Sequence, residues 1–229
     1  MRTDPKERGR RRDLTARPDG AAKPAIKKLL AATGNAGKAR EFARLLKNRP
    51  FSLLTLADWP DIAAPEETGL TFLENAKAKA GYYARLTGEC CVADDSGLEV
   101  YALGGAPGVM SARYAGEKAD DEENNRLLLQ NMADKDDRAC RFVCAVALSD
   151  AAGGIIFSAV GETEGTLLRE GRGGEGFGYD PLFFVPALGK TLAEASPQEK
   201  DAISHRGRAL AALLEFLQSS RLAGGAGAD

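Results

Sequence analysis

Two adjacent carboxylates, Asp94 and Asp95, stand between the apolar run Cys91-Val92-Ala93 and the small-residue break Ser96-Gly97-Leu98. Paired acids can hold a divalent cation or take a proton from water. The apolar run reads as a buried strand whose end delivers the acids to a cleft. Side chains alternate along a strand, so Asp94 and Asp95 should point to opposite sides, and at most one should face a given pocket. The same residues also suit a solvated Asp-Asp-Ser-Gly turn. Whether other segments converge on these acids decides between the two.

Four segments are candidates. Thr33-Gly34-Asn35-Ala36-Gly37-Lys38 follows a strand over 26–32 and precedes a helix over 39–47 with Phe42, Leu45 and Leu46 on one face. A strand–turn–helix unit aims backbone N–H groups and a helix N-terminus at whatever sits above it, which suits phosphate. It is not a Walker loop, because Ala32 and Ala39 stand where Gly and Ser/Thr belong. The acidic loop Pro65-Glu66-Glu67-Thr68-Gly69-Leu70 leads into a capping box, Thr71 with Glu74, so a helix should run over 72–86 with Asn75 and Lys79 on one face. Gly173 to Pro181 interleaves glycines with Phe177 and Tyr179, a pattern that brings backbone and ring close to a flat ligand or simply forms a glycine-rich loop. Ser196-Pro197-Gln198-Glu199 starts a helix near His205-Arg206, and the last helix buries Leu210, Leu213, Leu214 and Leu217.

These elements imply an α/β chain. Strand–helix–strand units come first, then a hairpin between strands over 141–148 and 155–160, so the sheet should be mixed. A chain of 229 residues with 44% hydrophobic composition can bury one substantial core. Residues 1–24 are charged and aperiodic and read as a disordered basic extension, residues 25–220 as the folded domain, and residues 221–229 as a flexible tail. Residues 1–25 carry eight Lys/Arg against four Asp/Glu, which leaves −6 on the remainder of a chain whose net charge is −2. An acidic body that handles phosphates needs metal ions or locally placed cations. Cys90, Cys91, Cys140 and Cys144 lack zinc-site spacing and read as free thiols in a reducing compartment. No apolar run is long enough for a membrane span and the N-terminus lacks a signal peptide's apolar centre, so a cytoplasmic location is expected.

Taken in order, the motifs resemble the inosine triphosphate pyrophosphatase family, which hydrolyses nonstandard purine nucleoside triphosphates. The resemblance rests on Thr33–Lys38, Glu66–Ala76, Ala93–Leu98, Gly104–Gly108, Ser111–Tyr114, Gly176–Pro181 and Ile203–Gly207, and it covers residues 26–218. It implies a two-lobed fold around a long mixed sheet flanked by helices, with nucleotide in the cleft between the lobes. It also implies a homodimer, dependence on Mg²⁺, and release of the nucleoside monophosphate and pyrophosphate, with no need for membrane or nucleic acid. Carried over residue by residue, Asp95 is the general base, and Glu66 and Asp95 hold the metal. The Glu66–Glu67 choice stays open, with Asp94 in reserve, holding Lys79 or holding a second metal ion. Thr33, Gly34, Asn35, Ala36, Gly37, Lys38, Lys79 and Ser96 bind the triphosphate, and Lys190 contacts the nucleotide.

The base would meet Phe177, Gly178, Tyr179, Asp180, His205 and Arg206. Hypoxanthine and xanthine carry a 6-oxo acceptor where adenine carries an amino donor. Arg206 only donates and His205 can donate, so donors facing position 6 would favour the oxo bases by about 1–3 kcal/mol. Phe177 would stack on the ring and Asp180 would accept from a ring N–H. Guanine shares the 6-oxo group, and its exclusion would have to come from pocket shape. Two other functions are open: a nucleotide-sensing or nucleic-acid-binding module using the basic arm, and a pyrophosphatase for other modified or standard nucleotides.

Overall fold

A computed structural model describes residues 26–222. The expected extension and all of the expected tail beyond Leu222 lie outside the described residues. A seven-stranded mixed sheet runs in the order β2-β1-β3-β4-β5-β6-β7. The strands are β1 (Lys28–Ala31), β2 (Ser52–Thr55), β3 (Cys91–Val100), β4 (Ala139–Ser149), β5 (Ile155–Leu167), β6 (Phe183–Val185) and β7 (Lys190–Thr191). The helices are α1 (Ala36–Leu45), α2 (Phe72–Thr87), α3 (Asp121–Asn131), α4 (Pro197–Ile203) and α5 (His205–Leu222). β1 pairs parallel with β2 and β3, and every later pairing is antiparallel. The expected mixed sheet is therefore present.

Strand alternation divides the core. Leu29, Ala31, Val92 and Val146 face α1 and α5. Leu30, Ala32, Cys91, Ala93 and Ala145 face α2. A third cluster around Leu98, Leu128, Phe183 and Leu192 fills the far end of the long strands. All four cysteines are free, and all but Cys90 are buried.

β3 does not end at the acids, contrary to the sequence reading. It continues to Val100, with Asp94 opposite Val146, Asp95 opposite Ala145 and Gly97 opposite Val143 on β4. The ladder with β4 outweighs the turn preference of Asp-Ser-Gly. Gly97 is needed there for space, since a Cβ would fall 2.2 Å from Ser111 Oγ. On the opposite edge β1 pairs with β3 only as far as Val92. Beyond that point the chain leaves β1 through the Thr33 turn, and the flank of β3 that carries the acids has no neighbouring strand.

Candidate active site

The gap beside β3 is a cavity of about 520 Å³. Its lining includes Thr33, Gly34, Asn35 and Lys38 from the turn, Glu67 from the acidic loop and Lys79 from α2. Asp95, Ser96, Phe177, Gly178, Tyr179, Asp180, His205 and Arg206 complete most of the expected set. Four expected residues, Ala36, Gly37, Glu66 and Lys190, are not part of the lining. Ala36 is the exposed first residue of α1. Glu66 is exposed and it is Glu67 that faces the cavity. Lys190 lies on β7 at the sheet edge, with its ammonium on Glu199 at 2.8 Å.

Alternation sends the two acids to different partners. Asp95 faces α2, as Cys91 and Ala93 do. Asn75 Nδ2 donates to Asp95 Oδ2 at 2.9 Å, and Lys79 Nζ lies 3.5 Å from Asp95 Oδ1 and 2.9 Å from Glu67 Oε1. The Asn75–Lys79 face predicted from helical spacing thus looks at Asp95. Burial pushes the Asp95 carboxyl above its ordinary range, although Lys79, Lys38 and Asn75 pull the other way. Burial disfavours the Lys79 ammonium too, but the surrounding Asp95, Asp94 and Glu67 carboxylates keep it charged.

Asp94 faces α1 and α5 and does not line the cavity. Arg206 Nε donates to Asp94 Oδ2 at 3.0 Å, and Lys38 Nζ lies 3.4 Å away. Burial would raise the Asp94 carboxyl, but Lys38 and Arg206 outweigh it and hold the group well below the carboxylate range. The expectation that Asp94 holds Lys79 is therefore corrected, because α2 lies on the other side of the sheet.

Arg206 is also more committed than its sequence reading assumed. Its remaining nitrogens reach Glu41 and Ser96 Oγ, so the guanidinium joins α1, β3 and α5. Lys200 spans Glu41 and Asp180, and Asp180 Oδ2 also accepts from Phe177 N at 2.9 Å. Glu41 and Lys200 were missed by sequence reasoning. Both are charged helical residues that look solvated in sequence, yet they are 5% exposed. His205 is enclosed and stacks on Phe142 with centroids 4.7 Å apart. Burial, then Arg206 and Lys200, drive its pKa well below the usual range. A neutral imidazole offers one donor and one acceptor, so His205 does not make the pocket donor-only.

The phosphate turn is shorter than predicted. Asn35 caps α1 through Lys38 N at 3.0 Å, so Gly37 and Lys38 belong to the first helical turn. Asn is a strong N-cap, and its side chain outcompetes the later start read from apolar spacing. Gly37 packs on the Phe177 ring, where a Cβ would fall 2.4 Å from Cδ1.

The site fits magnesium in a particular way. Among the described residues no group of three or more His, Cys, Asp and Glu side chains forms a metal cage. Mg²⁺ usually takes one or two carboxylates with phosphate oxygens and water, and Asp95 and Glu67, both on Lys79, supply such a pair.

Known proteins share this architecture and sequence. The chain is 50% identical over 192 residues to a dITP/XTP pyrophosphatase of Geobacter sulfurreducens, covering 83% of this chain and 96% of that one. It is 52% identical over 190 residues to the dITP/XTP pyrophosphatase of Thermus thermophilus, covering 82% and 90%. A Ham1 protein structure from Coxiella burnetii superposes with a TM-score of 0.77 at 41% identity, covering 85% of this chain and 100% of that one. The sequence model of the Ham1 family matches residues 29–216, and the chain belongs to the Ham1 family.

Proposed function

We propose that this chain is a nucleoside triphosphate pyrophosphohydrolase that hydrolyses ITP, dITP and XTP to the nucleoside monophosphate and pyrophosphate. The observation that carries this is the convergence on one cavity of the Thr33–Asn35 turn at the start of α1, the Lys38 and Lys79 ammoniums, and a carboxylate raised by burial. The names of the relatives, dITP/XTP pyrophosphatases at about half identity, point to the same substrates.

In this reading the turn N–H groups and Lys38 hold phosphate oxygens. Asp95 takes the proton of the attacking water, and its raised pKa brings it closer to neutral than an ordinary aspartate. Lys79 and Asn75 fix the carboxylate in place. Asp95 and Glu67, rather than Glu66, would hold Mg²⁺, which when bound offsets phosphate charge. On the other side of the cavity Phe177, Asp180, Lys200 and His205 would meet the base. Lys200 is a donor-only group with its ammonium 4.7 Å from the Phe177 ring centroid, which suits a 6-oxo purine. A cytoplasmic homodimer is part of the proposal. It rests on the family resemblance and on the four free cysteines, and no helix among the described residues is long and apolar enough to cross a membrane.

The test is to incubate the protein with ITP, dITP, XTP, ATP or GTP, with Mg²⁺ or with a chelator, and to assay pyrophosphate against orthophosphate. Pyrophosphate should appear from the first three in the presence of Mg²⁺ only. Orthophosphate as the sole product, or equal turnover of ATP, would overturn the proposal.

A further inference from the structure

Helix α3 holds the loop that lines the base side of the cavity through both polar groups of a single residue. Gly178 N donates to Asp121 Oδ2 at 2.6 Å. Asn125 Nδ2 donates to Gly178 O at 2.9 Å. Asp121 and Asn125 are four apart on one helix, so they share a face and reach one target together.

Gly178 is where the loop most needs holding. It has φ +62°, in the left-handed region, and a Cβ there would meet nothing within 4 Å. An uncrowded glycine is the most pliable point of a chain. On either side of it stand Phe177, packed against Gly37 of the phosphate turn, and Tyr179, whose hydroxyl donates to Ser111 O at 2.9 Å. The orientation of the Gly178 peptides therefore sets where the Phe177 ring lies relative to Gly37 and Lys200.

Helix capping does not account for Asp121. Asp120 and Glu123 already form the capping box of α3, each bonding the other's backbone N–H. Asp121 is the next residue, its carboxylate is spent on the loop, and it lines the cavity.

The geometry points to Asp121 and Asn125 as positioning residues for nucleotide binding, which clamp Gly178 so that the Phe177 ring is set before substrate arrives. This rests on the reading of the cavity as a nucleotide site. Asp121→Ala is expected to raise KM for dITP about ten-fold with kcat within about three-fold, the scale of one hydrogen bond to a charged acceptor. Hydrogen exchange of the Gly178 amide, followed by NMR in the absence of nucleotide, should quicken about ten-fold in the same variant. Asp121→Asn keeps an oxygen that accepts from Gly178 N and should recover most of both effects. Asn125→Asp removes the second donor with little change of shape, and should raise KM in the same direction.

Unchanged Gly178 exchange in Asp121→Ala would overturn the clamp, as would KM within two-fold of wild type or equal impairment of Asp121→Asn. If the wild-type protein releases no pyrophosphate from dITP, the proposed function fails. The exchange measurement still decides whether the clamp exists.

Discussion

Replacing Asp94 by Asn should cost stability far more than it costs turnover. Asp94 is 1% exposed, accepts from Arg206 Nε at 3.0 Å and lies 3.4 Å from Lys38 Nζ. Removing one charge of a buried pair costs about 3–5 kcal/mol, because the partner is left uncompensated. Arg206 keeps Glu41 and Ser96, so the lower end, about 3 kcal/mol, is the expectation here. For a chain of this size that corresponds to a fall in Tm of about 6–12 °C. The pH dependence has a definite sign. The folded-state Asp94 carboxyl is depressed, since Lys38 and Arg206 outweigh burial. Its contribution is therefore complete above the unfolded value of about 3.9 and is lost as pH falls through the folded value. The difference between wild type and Asp94→Asn, measured by urea unfolding, should be constant between about pH 5 and 8 and should shrink on acidification below that. Turnover, assayed well below the variant's own midpoint, should survive within about ten-fold, because Asp95, Lys79 and Glu67 lie on the other face of the sheet. Equal unfolding midpoints, or a difference that grows in acid, would refute the assignment of Asp94 to the buried ion network.

Two further substitutions probe the frame and the electrostatics. Gly161→Ala places a Cβ 2.1 Å from His205 O and 2.7 Å from Ala209 N. Both are backbone atoms of α5, so α5 must shift and stability should fall by about 1–3 kcal/mol in a denaturation series; an unchanged midpoint would mean that α5 is not seated tightly on β5. Lys79→Met removes the largest influence opposing burial at Asp95. The Asp95 carboxyl should rise further, and the acid limb of kcat/KM should move to higher pH. A limb that stays in place or moves down would show that Lys79 does not govern Asp95.

Much of this site was legible because period-two alternation and helical spacing are local. Alternation separated Asp94 from Asp95 correctly, and spacing put Asn75 and Lys79 on the face that meets Asp95. What failed was non-local. Ser96 and Gly97 look like a turn until β4 supplies the ladder that holds them extended. Glu41 and Lys200 look solvated until Arg206 and Asp180 arrive from elsewhere in the chain to pair with them. Lys190 carries the right charge for a nucleotide contact, but the short β6–β7 hairpin leaves it at the sheet edge beside Glu199. Glu66 and Glu67 could not be told apart by type, and only Lys79 and Arg113 on the Glu67 side distinguish them. The Asp121 and Asn125 contacts to Gly178 carried no motif signal, since they join two segments that are 53 or more residues apart.

Asp95→Asn separates the proposed role of Asp95 as the base from its structural contacts. The amide keeps the shape and the contact with Asn75 or Lys79 while removing the proton acceptor. Single-turnover hydrolysis of dITP, with Mg²⁺ and enzyme in excess, should slow by about 10²–10⁴-fold, the usual contribution of a general base, with the thermal midpoint little changed. A rate within ten-fold of wild type in a fully folded Asp95→Asn protein would place the proton acceptor elsewhere.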